Sequence, residues 1–328
     1  MISLLLMTIG NGSMWVVAVV LPEVQKDFGV GRAEAALPYT LMMIGFGVGG
    51  IFMGRFADRF GMLGPLIVGA CATGLGFVLA GLSQGILGFA LAHGLLIGLL
   101  GSSATFAPLM RRRAPAQRIV LAVPGQRLAS DHPFGLKPNT ATALLCVAGV
   151  ACCVAMSMPQ VHIVAYCSDL GYGAARGAEM LSLMLACGIV SRLVSGAICD
   201  RIGGLRTLLL GSVLQGLALL MFLPFDGLVS LYIVAALFGL FQGGIVPAYA
   251  IIVREYFAPN ETGVRVGAVI MSTMLGMALG GWMSGKVFDL TGSYDAAFLN
   301  GVAWNLLNLA IAGTLFWRVR RLAAKPAG

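Results

Sequence analysis

Arg192 is a single cation inside an apolar run that covers residues 179–199, about seven residues from its end. In a helix this separation corresponds to roughly 10 Å. A guanidinium can bind a carboxylate through two parallel hydrogen bonds, whereas an ammonium offers only a point charge. The apolar runs contain almost no acid, and Glu179 stands at the far end of this one. The sequence therefore predicts that Arg192 binds the carboxylate of a small ligand, with a protein carboxylate as the alternative partner.

His162 is a second candidate, because imidazole titrates near neutral pH and this residue lies in an apolar run ahead of Tyr166. Its position near the end of that run leaves an interfacial, hydrogen-bonded histidine as an equal alternative. Further polar or aromatic residues of the apolar runs are candidates for lining the same cavity, with helix packing as the alternative role for each: Trp15, Asn11, Tyr39, Gln160, Gln242 and Asn305.

The pattern Gly-x-x-x-Asp-Arg-x-Gly occurs twice, as GRFADRFGM at residues 54–62 and as GAICDRIGG at residues 196–204. The aspartate can accept hydrogen bonds from backbone N–H groups at a neighbouring helix end, and the arginine can pair with an acid. The glycines permit a tight turn and close helix contact. The residues concerned are Gly54, Asp58, Arg59, Gly61, Gly196, Asp200, Arg201 and Gly203, with Arg206 following the second copy.

The elements that position these residues follow from composition. The 328 residues are 59% hydrophobic and 10% charged, with a mean hydropathy of +0.92, which indicates an integral membrane protein. A helix needs about 20 apolar residues to cross the bilayer, and the alternation typical of a membrane β-barrel is absent. The sequence predicts an all-α protein with ten spans, near residues 2–21, 36–57, 63–82, 86–109, 141–166, 179–199, 206–224, 228–252, 264–286 and 297–317.

The distribution of Lys and Arg predicts the orientation. Sixteen of them fall on the side that carries both Asp-Arg motifs, four fall on the other side, and Arg192 lies within a span. Basic residues in short loops stay cytoplasmic. We therefore predict a multi-pass protein of the plasma (inner) membrane with both termini cytoplasmic. Orientation and contact with the lipid bilayer account for the net charge of +8, so no nucleic-acid partner is expected.

An internal repeat relates the two motifs. Asp58 and Asp200 are 142 residues apart, and the same offset pairs the glycines and charges around them without a gap. Further pairs at this offset are Asp27 with Asp169, Gly29 with Gly171, Gly31 with Gly173, Gly69 with Gly211, Gly85 with Gly227 and Gly101 with Gly243. Duplicated halves around a central site are typical of secondary transporters.

These features resemble the major facilitator superfamily. GRFADRFGM matches the family's signature loop between helices 2 and 3, and GAICDRIGG with Arg206 matches its weaker copy between helices 8 and 9. The resemblance implies a bundle of two pseudo-symmetric halves in which these loops act as a conformational latch. It also implies alternating access to a site between the halves.

Arg192 narrows the resemblance. VSRLVSG, with PQVHIVAYCSDLGYG before it, is similar to the monocarboxylate-transporter and oxalate:formate-antiporter branch, whose eighth helix carries a substrate-binding arginine. The animal monocarboxylate transporters have an aspartate four residues before that arginine and a lysine after a proline in helix 1. Here those places hold Gly188 and Glu23, so their proton-coupling scheme does not carry over.

The chain departs from the family by one helical pair. Six spans follow residue 140, whereas four precede residue 110, which predicts about ten helices instead of twelve. We predict a four-helix half at 1–110, a basic cytoplasmic linker at 111–139 that replaces two helices, and a six-helix half at 140–328. A deletion or local frameshift is the preferred origin, and a genuine ten-helix variant is the alternative.

The sequence predicts a secondary transporter of small organic anions, coupled to protons or to anion exchange, and acting as a monomer. A truncated family member without transport, or a transporter-derived sensor or assembly partner, is the alternative. An enzyme is not expected: Gly45, Gly47 and Gly50 lie inside a span, and GLSQG at 81–85 lies in a turn between spans. The seven cysteines form no Cys-x-x-Cys pair, so we expect no metal and no cofactor.

Overall fold

The computed structural model of the protein describes residues 2–60, 63–102, 132–259 and 261–324. Within these ranges the chain forms helices and no β-strand, as the composition predicts. The helix α5 continues into a π-helical segment, Ala92–Leu100. The α-helices are α1 Ile2–Phe28, α2 Arg32–Ala35, α3 Leu37–Phe60, α4 Leu63–Gly81, α5 Ile86–Leu91, α6 Pro138–Asp169, α7 Ala174–Ile202, α8 Gly204–Met221, α9 Leu228–Gln242, α10 Ile245–Tyr256, α11 Thr262–Thr291 and α12 Tyr294–Ala324.

Eight helical segments of the described chain are long and apolar enough to cross a membrane. The apolar segment Ile86–Leu100 is shorter, and α1 covers the first predicted span. The predicted span 86–109 runs past residue 102, beyond which its course lies outside the described residues. The eight segments are Arg32–Met53, Leu63–Gly81, Pro138–Asp169, Ala174–Ile202, Gly204–Met221, Leu228–Tyr256, Thr262–Thr291 and Tyr294–Ala323.

The segment Leu228–Tyr256 is divided into α9 and α10 at Gly243 and Gly244. Proline has no backbone N–H, so Pro247 cannot donate to the carbonyl group four residues earlier, which is that of Gly243. The predicted bend in this span is therefore a helix break. It places the backbone of Gly243 beside Gly188 and Ser191 of α7, where a larger residue would collide.

Helix boundaries follow the predicted repeat. The fourth span of each half begins at Ile86 and at Leu228, and these residues are 142 positions apart. Gly29 and Gly171, which the same offset pairs, both have a positive φ, of 61° and 82°. The sequence duplication is therefore accompanied by matching helix starts and a matching turn conformation.

The two halves share buried surface. One hydrophobic cluster joins Tyr39 and Met42 of the first half to Val161 and Tyr249 of the second. Between the halves, α1 packs on α6 and α3 packs on α11. We call the end of the bundle where α6 terminates the Asp169 end, and the end where α7 passes into α8 the Gly203 end.

The helices α3 and α11 pack closely toward the Asp169 end. Thr40 donates a hydrogen bond to the Ala278 carbonyl oxygen, and Gly47 lies against Met274. Toward the Gly203 end, Phe52 on α3 and Val264 on α11 are 59% and 81% exposed. The two helices therefore diverge in this direction, so the interface between the halves is closed at one end of the bundle.

The end of the predicted linker 111–139 is folded onto the second half. Residues 133–135 form a short 3-10 helix, and the Arg318 guanidinium donates to the carbonyl oxygens of Phe134 and Gly135 at 3.0 and 3.2 Å. The Phe134 ring is 2% exposed and lies 4.5 Å from the Tyr256 ring. The prediction of a poorly ordered segment therefore fails for these residues, and residues 103–131 lie outside the described part of the chain.

Candidate substrate-binding site

A small cavity of about 50 Å³ adjoins Arg192. It lies between α6, α7 and the junction of α9 with α10. The close approach of these elements depends on Gly243, because a methyl group there would lie 2.7 Å from the Cβ atom of Ser191. The cavity is lined by Met156, Gln160, Met184, Leu185, Gly188, Arg192, Gln242, Gly243 and Val246.

Two amide side chains give this cavity its polar character. Gln160 and Gln242 are 5% and 4% exposed, and the Oε1 atom of each has no hydrogen-bond partner among the described residues. The Oγ atom of buried Ser191 has no partner there either. An unsatisfied buried polar atom costs about 1–3 kcal/mol, so a ligand that supplies hydrogen bonds would be stabilised here.

Arg192 lies at the rim of the cavity and is exposed. In the described part of the chain it forms no ion pair and no hydrogen bond. Glu179, the acid on the same helix, instead accepts hydrogen bonds from Arg176, at 2.9 Å, and from the Tyr232 hydroxyl. The protein carboxylate considered as the alternative partner of Arg192 is therefore engaged elsewhere.

His162 belongs to a second, separate group of residues. Its imidazole is fully buried, and Nε2 donates to the carbonyl oxygen of Gly281 on α11 at 2.8 Å. Tyr39 of α3 packs on the same glycine, and its ring centroid lies 6.1 Å from that of Trp15 on α1. The Nδ1 atom of His162 and the Tyr39 hydroxyl are buried without a partner among the described residues.

The predicted cavity residues are thus divided between two places. Gln160 and His162 are two positions apart on α6, which turns their side chains by about 200° relative to each other in a helix of 3.6 residues per turn. Arg192 and Gln242 share the cavity with Gln160, whereas Trp15 and Tyr39 surround Gly281 together with His162. The Asn11 side chain lies outside the described residues.

Asn305 lies in neither group. Its amide nitrogen donates to the Ser212 carbonyl oxygen at 2.9 Å, and Asn308 donates to the Ser212 hydroxyl at 2.7 Å. The Tyr249 hydroxyl completes this buried network by donating to Asn308. The role of Asn305 is therefore to connect α12 with α8, which is the packing alternative considered from the sequence.

The second Asp-Arg motif forms the tight turn between α7 and α8. Gly203 has φ +85° and ψ 162°, a conformation that suits glycine, and its N–H donates to the Cys199 carbonyl oxygen. Gly196 has no atom within 4 Å of the position that a methyl group would occupy, so no close helix contact depends on it. Arg201 and Arg206 are exposed, and the Arg206 guanidinium lies 6.0 Å from the Phe316 ring.

The helix-end role expected of Asp200 is filled by Glu255. Both carboxylate oxygens of Glu255 accept the N–H of Gly204, the first residue of α8, at 3.0 and 3.1 Å. Asp200 is exposed and has no hydrogen bond among the described residues. In the first motif Arg59 is exposed, whereas the side chain of Asp58 and the residues Gly54 and Gly61 lie outside the description.

Two residues of this structure were not identified as candidates from the sequence. Ser191 precedes Arg192 and is one hydroxyl among many in the apolar runs, so nothing in the pattern distinguishes it. Arg32 was counted only as a loop cation, but it is 6% exposed and its Nη2 atom lies 2.5 Å from Asp169 Oδ2. The signal available for Arg32 is its position beside the repeated Gly-x-Gly turn that begins at Gly29.

Known proteins resemble this chain in sequence and in fold. The Major Facilitator Superfamily profile matches residues 140–328. Monocarboxylate transporter 13 of Bos taurus is 27% identical over 261 residues, 76% of this chain and 59% of that protein. The same-named protein of Rattus norvegicus is 30% identical over 160 residues, 48% and 37% respectively. Both matches span less than two thirds of the relative's length.

Two further comparisons extend the resemblance. The MFS-type transporter opdF of Penicillium oxalicum is 25% identical over 185 residues, which is 55% of this chain and 43% of that protein. In fold, the crystal structure of the nucleoside transporter NupG aligns over 98% of both chains with a TM-score of 0.61 and 15% identity. The duplicated helices and these matches show that the chain is a non-enzymatic transporter-type membrane protein that belongs to the major facilitator superfamily, on its monocarboxylate-transporter-like side.

Proposed function

We propose that the protein is a secondary active transporter of small monocarboxylates and that Arg192 binds the substrate carboxylate. The observation that carries this proposal is the cavity beside Arg192, where a guanidinium without a protein acid meets two buried amide oxygens. The guanidinium would hold the carboxylate by two parallel hydrogen bonds. The amide oxygens would accept hydrogen bonds from a donor group on the rest of the substrate.

The cost of a cation in a membrane span supports this role. Arginine near the centre of a membrane helix is unfavourable by roughly 2.5–3.5 kcal/mol on insertion scales, so it persists where it is hydrated or paired. The nearest acid on the same helix, Glu179, is already bonded to Arg176 and Tyr232. A substrate anion is the partner that remains.

The proposed mechanism is alternating access between the two halves. The halves are in contact toward the Asp169 end and diverge toward the Gly203 end, and the cavity is beside the helix break at Gly243. A helix break is suited to motion, because few backbone hydrogen bonds have to change. Coupling is to protons or to a counter-anion, and we place the protein in the plasma membrane as a monomer with both termini cytoplasmic.

Counterflow in proteoliposomes tests the proposal. Vesicles loaded with unlabelled monocarboxylate should accumulate the labelled compound when they contain the parent protein. Arg192→Ala should abolish this uptake and Arg192→Lys should weaken it, because lysine cannot form the bidentate pair. Arg176→Ala is the matched control, since Arg176 is an exposed arginine on the same helix, and its uptake should stay at the parent level. Parent-level uptake by Arg192→Ala would exclude the proposed role.

A second candidate function is carboxylate binding without transport. It is favoured by the exposed flank of α7, where only 17% of the apolar core is buried, against 67% for α6, and where Leu193 is 74% exposed. Two further helices would cover such a flank in a twelve-helix bundle. In this case monocarboxylates would raise the melting temperature of the parent protein and not of Arg192→Ala, while counterflow would be absent from both.

A further inference from the structure

Arg32 is held at the Asp169 end by groups of the opposite half. Its side chain is 7% exposed, and Nη2 lies 2.5 Å from Asp169 Oδ2, at the end of α6. The guanidinium carbon lies 4.1 Å from the Phe288 ring centroid and 5.0 Å from that of Tyr294. A cation over aromatic faces is attracted most strongly where water is excluded. Arg32 therefore bonds to three residues of the second half through charge and through two rings.

The backbone beside Arg32 is held by a second carboxylate. Asp289, near the end of α11, accepts the N–H groups of Arg32 and Ala33 at 2.8 and 2.9 Å. These are the first two residues of α2, where the N–H groups have no partner within the helix. An acid of the second half thus satisfies the helix start of the first half.

Close backbone contact at this place depends on Gly285 of α11. A methyl group at Gly285 would lie 2.7 Å from the backbone nitrogen of Ala33 and 2.8 Å from the Arg32 carbonyl carbon. Side chains with a Cβ atom could not occupy that position without separating α11 from α2. The glycine therefore allows the distance at which Asp289 reaches the start of α2.

These contacts differ in kind from the other ion pairs of the described chain. Arg176 with Glu179 and Arg265 with Glu261 each lie within one helix, whereas Arg32 with Asp169 joins the two halves. Water can still reach the pair, because Asp169 is 39% exposed and lines an open cleft of about 490 Å³. The pair can therefore open and close without unfolding of the helices around it.

We propose that Arg32, Asp169 and Asp289 form a lock that closes the Asp169 end of the bundle, and that this lock opens whenever the halves separate there. Separation withdraws Arg32 from Asp169, Phe288 and Tyr294 together, because all three belong to the second half. It also frees the two backbone N–H groups from Asp289. For its consequence in flux the inference rests on the proposed alternating access, but the closure itself needs no substrate.

Hydrogen exchange measured by mass spectrometry on the full chain in lipid nanodiscs tests the lock. Asp169→Asn should speed exchange over residues 31–36 and 285–293 by at least about tenfold, the factor expected for the loss of a hydrogen bond between charged groups. Exchange near the Gly203 end, over residues 51–60 and 262–270, should become slower as that end closes. Asp226→Asn is the matched control, because Asp226 lines the same cleft and has no ion pair with Arg32, and its exchange should match the parent.

Gly285→Ala opens the same end by steric separation without a change of charge, and its exchange pattern should match that of Asp169→Asn. Unchanged exchange over residues 31–36 in both variants would overturn the proposal, as would an equal rise in Asp226→Asn. A rise over the whole chain, α12 included, would mean that these contacts maintain the fold and not the closure, and would also overturn it. Because no substrate is added, these results stand whether or not the protein transports carboxylates.

Discussion

The Nε2 atom of His162 on α6 lies 2.8 Å from the carbonyl oxygen of Gly281 on α11, and both groups are buried. This hydrogen bond joins two helices of the second half at the place where Tyr39 of the first half packs on Gly281. It fixes the position of the α11 surface on which the first half rests. His162 therefore has a structural part in the interface between the halves.

Replacement of His162 by phenylalanine should destabilise the protein. The ring size is kept, but the Gly281 carbonyl group loses a donor in a buried place, at a cost of about 1–3 kcal/mol. The midpoint of thermal unfolding in detergent measures the effect. His132→Phe is the matched control, because His132 is exposed and its substitution should change stability by less than about 0.5 kcal/mol. Equal midpoints for the two variants would contradict the structural role.

Gly280 should not tolerate alanine. A methyl group there would lie 2.5 Å from the Val154 carbonyl oxygen and would also collide with the Ser157 hydroxyl, so α11 would have to move from α6. Overpacking of this kind costs about 1–3 kcal/mol. Gly267→Ala on the same helix meets no atom within 4 Å and should be neutral, or should stabilise by up to about 1 kcal/mol through helix propensity. Thermal unfolding of the two purified variants should therefore shift in opposite directions.

Within the second Asp-Arg motif the two glycines should respond differently to alanine. Gly203 has φ +85° and ψ 162°, and a residue with a Cβ atom is strained there by about 1–3 kcal/mol. Gly196 lies inside α7 with open space around it, so Gly196→Ala should leave stability unchanged or raise it slightly. Melting curves measured under identical conditions compare them. If Gly196→Ala proved the more damaging, the turn would not be what the motif's glycines provide.

Glu255 should stabilise the start of α8 by accepting the Gly204 N–H. Glu255→Ala removes both acceptor oxygens and should cost about 0.5–2 kcal/mol, as the loss of a helix cap does. Glu255→Gln keeps one oxygen and should cost less. Exposed Glu23 on α1 provides the control, since Glu23→Ala should not change the unfolding midpoint. A midpoint of Glu255→Ala at the parent value would show that the helix start needs no acid.

The sequence by itself determined where the helices run and how the two halves correspond. Apolar runs of about 20 residues can satisfy their backbone hydrogen bonds in a bilayer only as helices, so their limits are written locally. The bend near Pro247 and the turn at Gly203 are local as well, because they depend on a missing N–H group and on a positive φ. The 142-residue offset, which needs no structure, predicted matching helix starts at Ile86 and Leu228.

Only the tertiary structure decided which of the polar residues meet. Polar side chains within apolar runs have no local signal for the face on which a partner lies, so Gln160 and His162 looked alike although they face different cavities. Arg32 finds Asp169 across 137 positions and Asp289 across 257, and Glu255 takes the helix-end bond expected of Asp200. Such contacts depend on how distant helices cross and how closely their glycines allow them to approach. The physical reason is that helix formation is encoded over a few residues, whereas the pairing of buried charges is set by the packing of the whole bundle.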